Sequence, residues 1–262
     1  MTTTGVGAPG RARIEARTLR TDRWWLSPLM TGGFLLVAVV YLTYAVLINK
    51  DYFWDPYISP LYSPCLTGNC VPSSGWGWFP SIAPVTPGLI IIVFPMGFRL
   101  TCYYYRKAYY RAFWGSPPAC AVAEPHKKYS GERRFPLVMQ NIHRYFWYIA
   151  MVFAVILTYD WVISFRDHSG HWGHAGMGTL VLLINIALIW TYTLSCHSCR
   201  HIMGGKLKHF SAHPTRYKYW LTVSKLNGYH MQLAWASLVW ISLTDLYIRL
   251  VAAGVITDLR FF

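Results

Sequence analysis

Ser195–His201 reads SCHSCRH and places two cysteines and two histidines within seven residues. Thiolate and imidazole are the side chains that hold zinc, iron and iron–sulfur clusters. Further candidates stand elsewhere in the chain: Cys102, Cys120 in GSPPAC, His143 in NIHRYF and His230 in NGYHMQLAW. Three chemistries fit such a set. Zinc suits mixed Cys/His ligands and is often structural. Two histidines on facing helices suit a b-type haem. Two thiolates with two imidazoles suit a Rieske-type [2Fe–2S] cluster, in which histidines replace two cysteines on one iron. A haem held by two histidines leaves the thiols without a task, so the thiols favour iron–sulfur. Cys196 and Cys199 share a helix face. Cys199-x-His201 resembles one half of a Rieske ligand pair, and Cys120 with a histidine from elsewhere would be the other half. Spacing alone leaves the quartet open.

The elements that must position these residues are membrane helices. Of the 262 residues 54 % are apolar and only 13 % charged, against about a quarter charged in soluble domains. Five runs are apolar and long enough to cross a hydrocarbon core of about 30 Å, which takes roughly 20 helical residues. They are Met30–Asn49, Pro87–Tyr105, Leu137–Phe165, Gly176–Ser195 and Thr222–Leu250. The reading is therefore an all-α, polytopic bundle of five transmembrane helices in a single domain over residues 1–262. A mobile tail covers about 1–20, and a long outer loop about 50–86. The net charge of +14 lies in blocks between apolar runs, not along one folded face, so it argues for membrane topology and against nucleic acid. With five alternating spans, 18 of the 24 basic residues fall on one side, which predicts a cytoplasmic N-terminus and an outer C-terminus.

That topology sorts the remaining features. Cys65 and Cys70 lie in the outer loop, where a disulfide persists, whereas Cys102, Cys120, Cys196 and Cys199 face the reducing side. RDHSGHWGH, with three histidines in nine residues, reads as a solvated outer turn. YYYRKAYYRAFW continues the second span as a basic, aromatic helix suited to lipid headgroups or a partner. No internal repeat is evident. His143, His230 and the Cys196–His201 group all fall at the inner depth of their helices, where ionisable residues are rare and functional by default.

Four segments together resemble a known family: GFRLTCYYYRKAYYRAFWGSPPACAV, NIHRYFWY, TLSCHSCRH and NGYHMQLAW. They are similar to the membrane subunit (SdhC) of actinobacterial succinate dehydrogenase, respiratory complex II, in the class with a membrane-embedded Rieske-type [2Fe–2S] cluster. The resemblance runs from about Trp24 to Leu250. It implies a bacterial plasma-membrane protein and two partners on the cytoplasmic side, a flavoprotein subunit that oxidises succinate and an iron–sulfur subunit. Electrons would pass through the membrane cluster to quinone, with no catalytic residue for succinate in this chain. The cluster ligands implied are two thiolates and two imidazoles among Cys120, Cys196, Cys199, His143, His201 and His230, with Cys102 and His197 in reserve. Quinone needs an apolar slot and one or two donors; Trp25, Arg99, Tyr104, Arg144 and Trp147 are the candidates. The competing expectations are a b-type cytochrome subunit with haem b between histidines, and a metal-handling membrane protein without electron transfer.

Overall fold

The computed structural model describes residues 20–65, 86–123, 125, 134–167 and 169–262. Most of the predicted tail, Cys70, His168 and much of the outer loop lie outside them. The chain is essentially all-α. Helix α1 (Leu26–Ile48) is 23 residues long, about 34 Å at 1.5 Å per residue, which is enough to span. It ends where Asn49 turns left-handed, at φ 47°. Its outward Leu36, Val37 and Val40 are exposed apolar side chains, as expected of a surface solvated by lipid. Helices α4 (Arg134–Ile163), α5 (Met177–Leu194) and α8 (His230–Ala252) are likewise long and apolar enough to cross.

The second span is broken. Helix α2 (Pro87–Thr101) starts with Pro87 in its first turn, and the Thr86 hydroxyl accepts from the Leu89 N–H at 3.3 Å. At Cys102 the backbone becomes extended, and α3 (Tyr103–Trp114) leaves at 78° to α2. The expected continuation of this span through the YYYRKAYYRAFW stretch is therefore corrected. That stretch is helical but lies across the end of the bundle, because its charged and polar surface has no place in lipid. The fifth span is corrected at its start. Thr222–Asn227 belongs to α7 (Pro214–Asn227), which stops at Gly228, and the spanning helix restarts at His230. The short α6 (His197–Gly204) precedes α7.

Close approach holds the bundle together. A Cβ on Gly97 would lie 2.2 Å from the Phe146 ring, so this glycine lets α2 meet α4. The end of the bundle opposite α3 and α6 is capped by a hairpin of β1 (Phe53–Trp54) and β2 (Tyr57–Ile58). Beneath it the fully buried Asp245 accepts from Arg249 Nε at 2.8 Å, from the Tyr41 hydroxyl at 2.6 Å and from the Ser59 hydroxyl. Arg249 also donates to the carbonyls of Ala45 and Lys50, fastening α8 to the end of α1. Asp245→Ala would leave the guanidinium buried without its carboxylate. The expected cost is about 3 kcal/mol, seen as a lower thermal midpoint of the detergent-solubilised protein. An unchanged midpoint would show that this knot is dispensable.

Cys65 is disulfide-bonded. Cys102, Cys120, Cys196 and Cys199 are free thiols.

Candidate functional site

Two helix breaks lie side by side at the α3/α6 end. Cys102 stands between α2 and α3 with φ −66° and ψ 134°. Cys196 stands between α5 and α6 with φ −63° and ψ 143°. Each is the N-cap of the helix that follows, where backbone N–H groups lack helical partners. The Ser198 N–H donates to Cys196 Sγ at 3.3 Å. Both cysteines are buried. Burial pushes the Cys196 thiol up to about 12 despite these donors.

Two buried imidazoles face the thiols. His143, on α4, lies with Nε2 3.2 Å from Cys196 Sγ and Nδ1 2.8 Å from Thr101 Oγ1. His230, at the start of α8, lies with Nε2 3.6 Å from Cys102 Sγ and Nδ1 2.7 Å from Ser195 Oγ. Thr101 donates its proton to the Gly97 carbonyl at 2.7 Å, and Ser195 donates to the Tyr192 carbonyl at 2.8 Å. Where each hydroxyl gives its proton to that carbonyl it accepts from the ring, which puts the ring proton on Nδ1 and turns the Nε2 lone pair to sulfur. Phe98 stacks on His143 (centroids 4.9 Å, 2°) and Tyr192 on His230 (5.1 Å, 14°).

These contacts expose a repeat that the sequence reading missed. FRLTCYYYR (98–106) and YTLSCHSCR (192–200) share an aromatic four before cysteine, leucine two before, a hydroxyl one before and arginine four after. Offsets of four put the aromatic and the cysteine on one helix face. The repeat is also crossed: each hydroxyl adjoins one cysteine and orients the histidine that meets the other.

The other sequence candidates are distributed as follows. Cys199 is fully buried one turn beyond Cys196, and among the described residues no hydrogen bond joins it to either of these histidines. His197 is half-buried, edge-on to His230 at 6.2 Å. Arg144 Nη2 lies 3.3 Å from His201 Nδ1 at an exposed position. Cys120 is exposed, and its carbonyl accepts from Arg20 at 2.8 Å. The fold thus gathers Cys196, His143 and His230 and adds Cys102. It does not bring Cys120 or His201 into contact with them. Among the described residues no group of three or more His, Cys, Asp or Glu is disposed around one ion. What stands there is two Cys–His pairs, a donor set that Cys2His2 zinc sites and Rieske-type [2Fe–2S] centres both use.

Beside the pairs lies an apolar cavity of about 540 Å³ whose walls include Phe98, Arg99, Tyr105, Tyr192, Leu238 and Ile241. Arg99 enters it as the cationic residue. Its Nη1 donates to the Tyr105 hydroxyl at 2.6 Å and lies 3.1 Å from Ser237 Oγ, and its guanidinium is 5.0 Å from the Tyr192 ring centre. Among the described residues Arg99 has no ion-pair partner, and the buried Tyr192 hydroxyl has no hydrogen-bond partner. Of the other candidates for this role, Trp147 donates to the Thr193 carbonyl at 2.9 Å, and Tyr104 packs 5.7 Å from His230. Arg144 is exposed, and so is Trp25, at 49 %. A second hollow, of about 570 Å³, lies at the opposite end among Trp54, Asp167, His174 and Asp258, remote from the thiols.

The profile of the actinobacterial succinate dehydrogenase subunit SdhC family matches residues 26–254. Among solved structures, the Mycobacterium smegmatis Sdh1 complex in the apo form holds a similar chain. The two are 52 % identical with a TM-score of 0.87, over 99 % of each chain. No curated protein matches.

Proposed function

The chain belongs to the actinobacterial succinate dehydrogenase SdhC family, and from that premise we propose that it holds a Rieske-type [2Fe–2S] cluster and a quinone within the membrane. It is the membrane subunit of succinate dehydrogenase, and succinate is oxidised on a partner. The partners are a flavoprotein and an iron–sulfur subunit, docked at the α3/α6 end. Basic residues concentrate at that end, which supports placing it in the cytoplasm of the bacterium.

The carrying observation is the crossed set of two thiols and two imidazoles with both Nε2 atoms facing sulfur. Cys102, Cys196, His143 and His230 would hold the cluster, which when bound supplies a one-electron carrier between the docked subunit and quinone. The chain's own residues prepare that place. The helix starts at Cys102 and Cys196 would offset part of the cost of burying a thiolate there. Thr101 and Ser195 orient the imidazoles, and the rings of Phe98, Tyr192 and Trp147 exclude water. Arg99 offers charged donors in an otherwise apolar slot, which suits a quinone carbonyl and its tail.

The test is electron paramagnetic resonance of the purified, dithionite-reduced complex beside its visible spectrum. A Rieske-type signal without haem bands is expected. Haem bands without that signal would make His143 and His230 haem ligands and overturn the cluster reading.

A further inference from the structure

The hydroxyls of Thr101 and Ser195 do more than close the ends of their helices. A neutral imidazole has two ring nitrogens and one proton. In an apolar interior, the partner of one nitrogen decides which nitrogen remains a ligand. Thr101 and Ser195 each have a carbonyl of their own helix in reach of the hydroxyl proton, Gly97 and Tyr192 respectively. With its proton there, each hydroxyl accepts from the ring nitrogen it faces, His143 Nδ1 at 2.8 Å and His230 Nδ1 at 2.7 Å. The histidine each one fixes does not meet the cysteine next to it in sequence. His143, held by Thr101, meets Cys196; His230, held by Ser195, meets Cys102.

We propose that Thr101 and Ser195 are positioning residues of the metal centre, each acting in trans. Thr101 selects Nε2 of the histidine beside Cys196, and Ser195 selects Nε2 of the histidine beside Cys102. This rests on the four-ligand reading above. A purely structural hydroxyl, bonded back to its own helix, would affect stability and leave the ligand nitrogens as they were.

The experiment uses the whole complex with Thr101→Val, Ser195→Ala and the conservative swaps Thr101→Ser and Ser195→Thr. Two quantities are measured: retention of membrane-cluster iron under a chelator, and the nitrogen couplings of the reduced cluster by pulsed paramagnetic resonance. Losing an outer-shell partner typically weakens metal retention about tenfold or more, and that loss is expected in Thr101→Val and in Ser195→Ala. Each is expected to alter a different nitrogen coupling, and the conservative swaps are expected to restore both quantities. Ser195→Ala removes one oxygen and carries the test by itself where the valine variant does not assemble. Unchanged retention and couplings, in a complex whose parent shows both nitrogens, overturn the positioning role. The same nitrogen responding in both variants overturns action in trans. A parent complex with no nitrogen-coupled signal overturns the four-ligand reading instead.

Discussion

Replacing His143 and His230 together by alanine is expected to abolish succinate-driven quinone reduction while succinate oxidation by a soluble dye continues. Removing outer-shell partners alone costs up to about a hundredfold, so loss of two ligands should exceed that. The dye accepts electrons before the membrane, which separates a lost relay from a complex that failed to assemble. The informative control is Cys120→Ser with His201→Ala, residues that the sequence makes attractive ligands. Neither touches the crossed pairs, and quinone reduction should stay within about twofold of the parent, since surface changes away from such features are nearly neutral. Unchanged quinone reduction in the double histidine variant would remove both residues from the electron path.

The second large effect is expected at Arg99. Its charge is placed in an apolar cavity with the Tyr105 hydroxyl and Ser237 as neighbours and no carboxylate among the described residues. A hydrogen bond from a charged donor contributes about 1.5–3 kcal/mol, so Arg99→Leu should lower kcat/KM for quinone by roughly 10- to 150-fold. The dye reaction and the cluster signal should remain. Arg99→Lys keeps the charge but loses the planar fork, so its activity should fall between the two. A leucine variant with the parental kcat/KM would place the quinone elsewhere.

The spans were legible because hydrocarbon demands about 20 apolar residues in a row, and their number agrees with the four long helices and one broken pair. The breaks were not. YYYRKAYYRAFW is good helical sequence, and only the extended backbone at Cys102, imposed by tertiary packing, turns it aside. Gly228 was the sole local sign that α7 and α8 are separate.

His143 and His230 stood out because imidazoles at that depth are rare. Cys199 and His201 drew notice by their spacing in SCHSCRH, Cys199 on one helix face with Cys196 and His201 two residues on. Cys196 meets a histidine 53 positions away, and Cys102 one 128 positions away. No local window contains such pairings. The repeat around the two cysteines was present in the letters. Its copies are nine residues long and 94 apart, outside the periods that announce tandem architectures.

The crossed pairing has a consequence for symmetry. When one copy's residue meets its counterpart's neighbour and the reverse also holds, the contact is that of an isologous dimer. Here α2 and α4 stand in for one protomer, and α5 and α8 for the other, with both copies running the same way through the membrane. A shorter chain carrying only the first copy's motif and His143 would complete the same four donors by pairing with itself about a diad. Fusing both halves into one polypeptide frees them to differ, and the difference is visible at the stacked rings. One half keeps phenylalanine. The other has a tyrosine, whose hydroxyl breaks the equivalence beside the cavity.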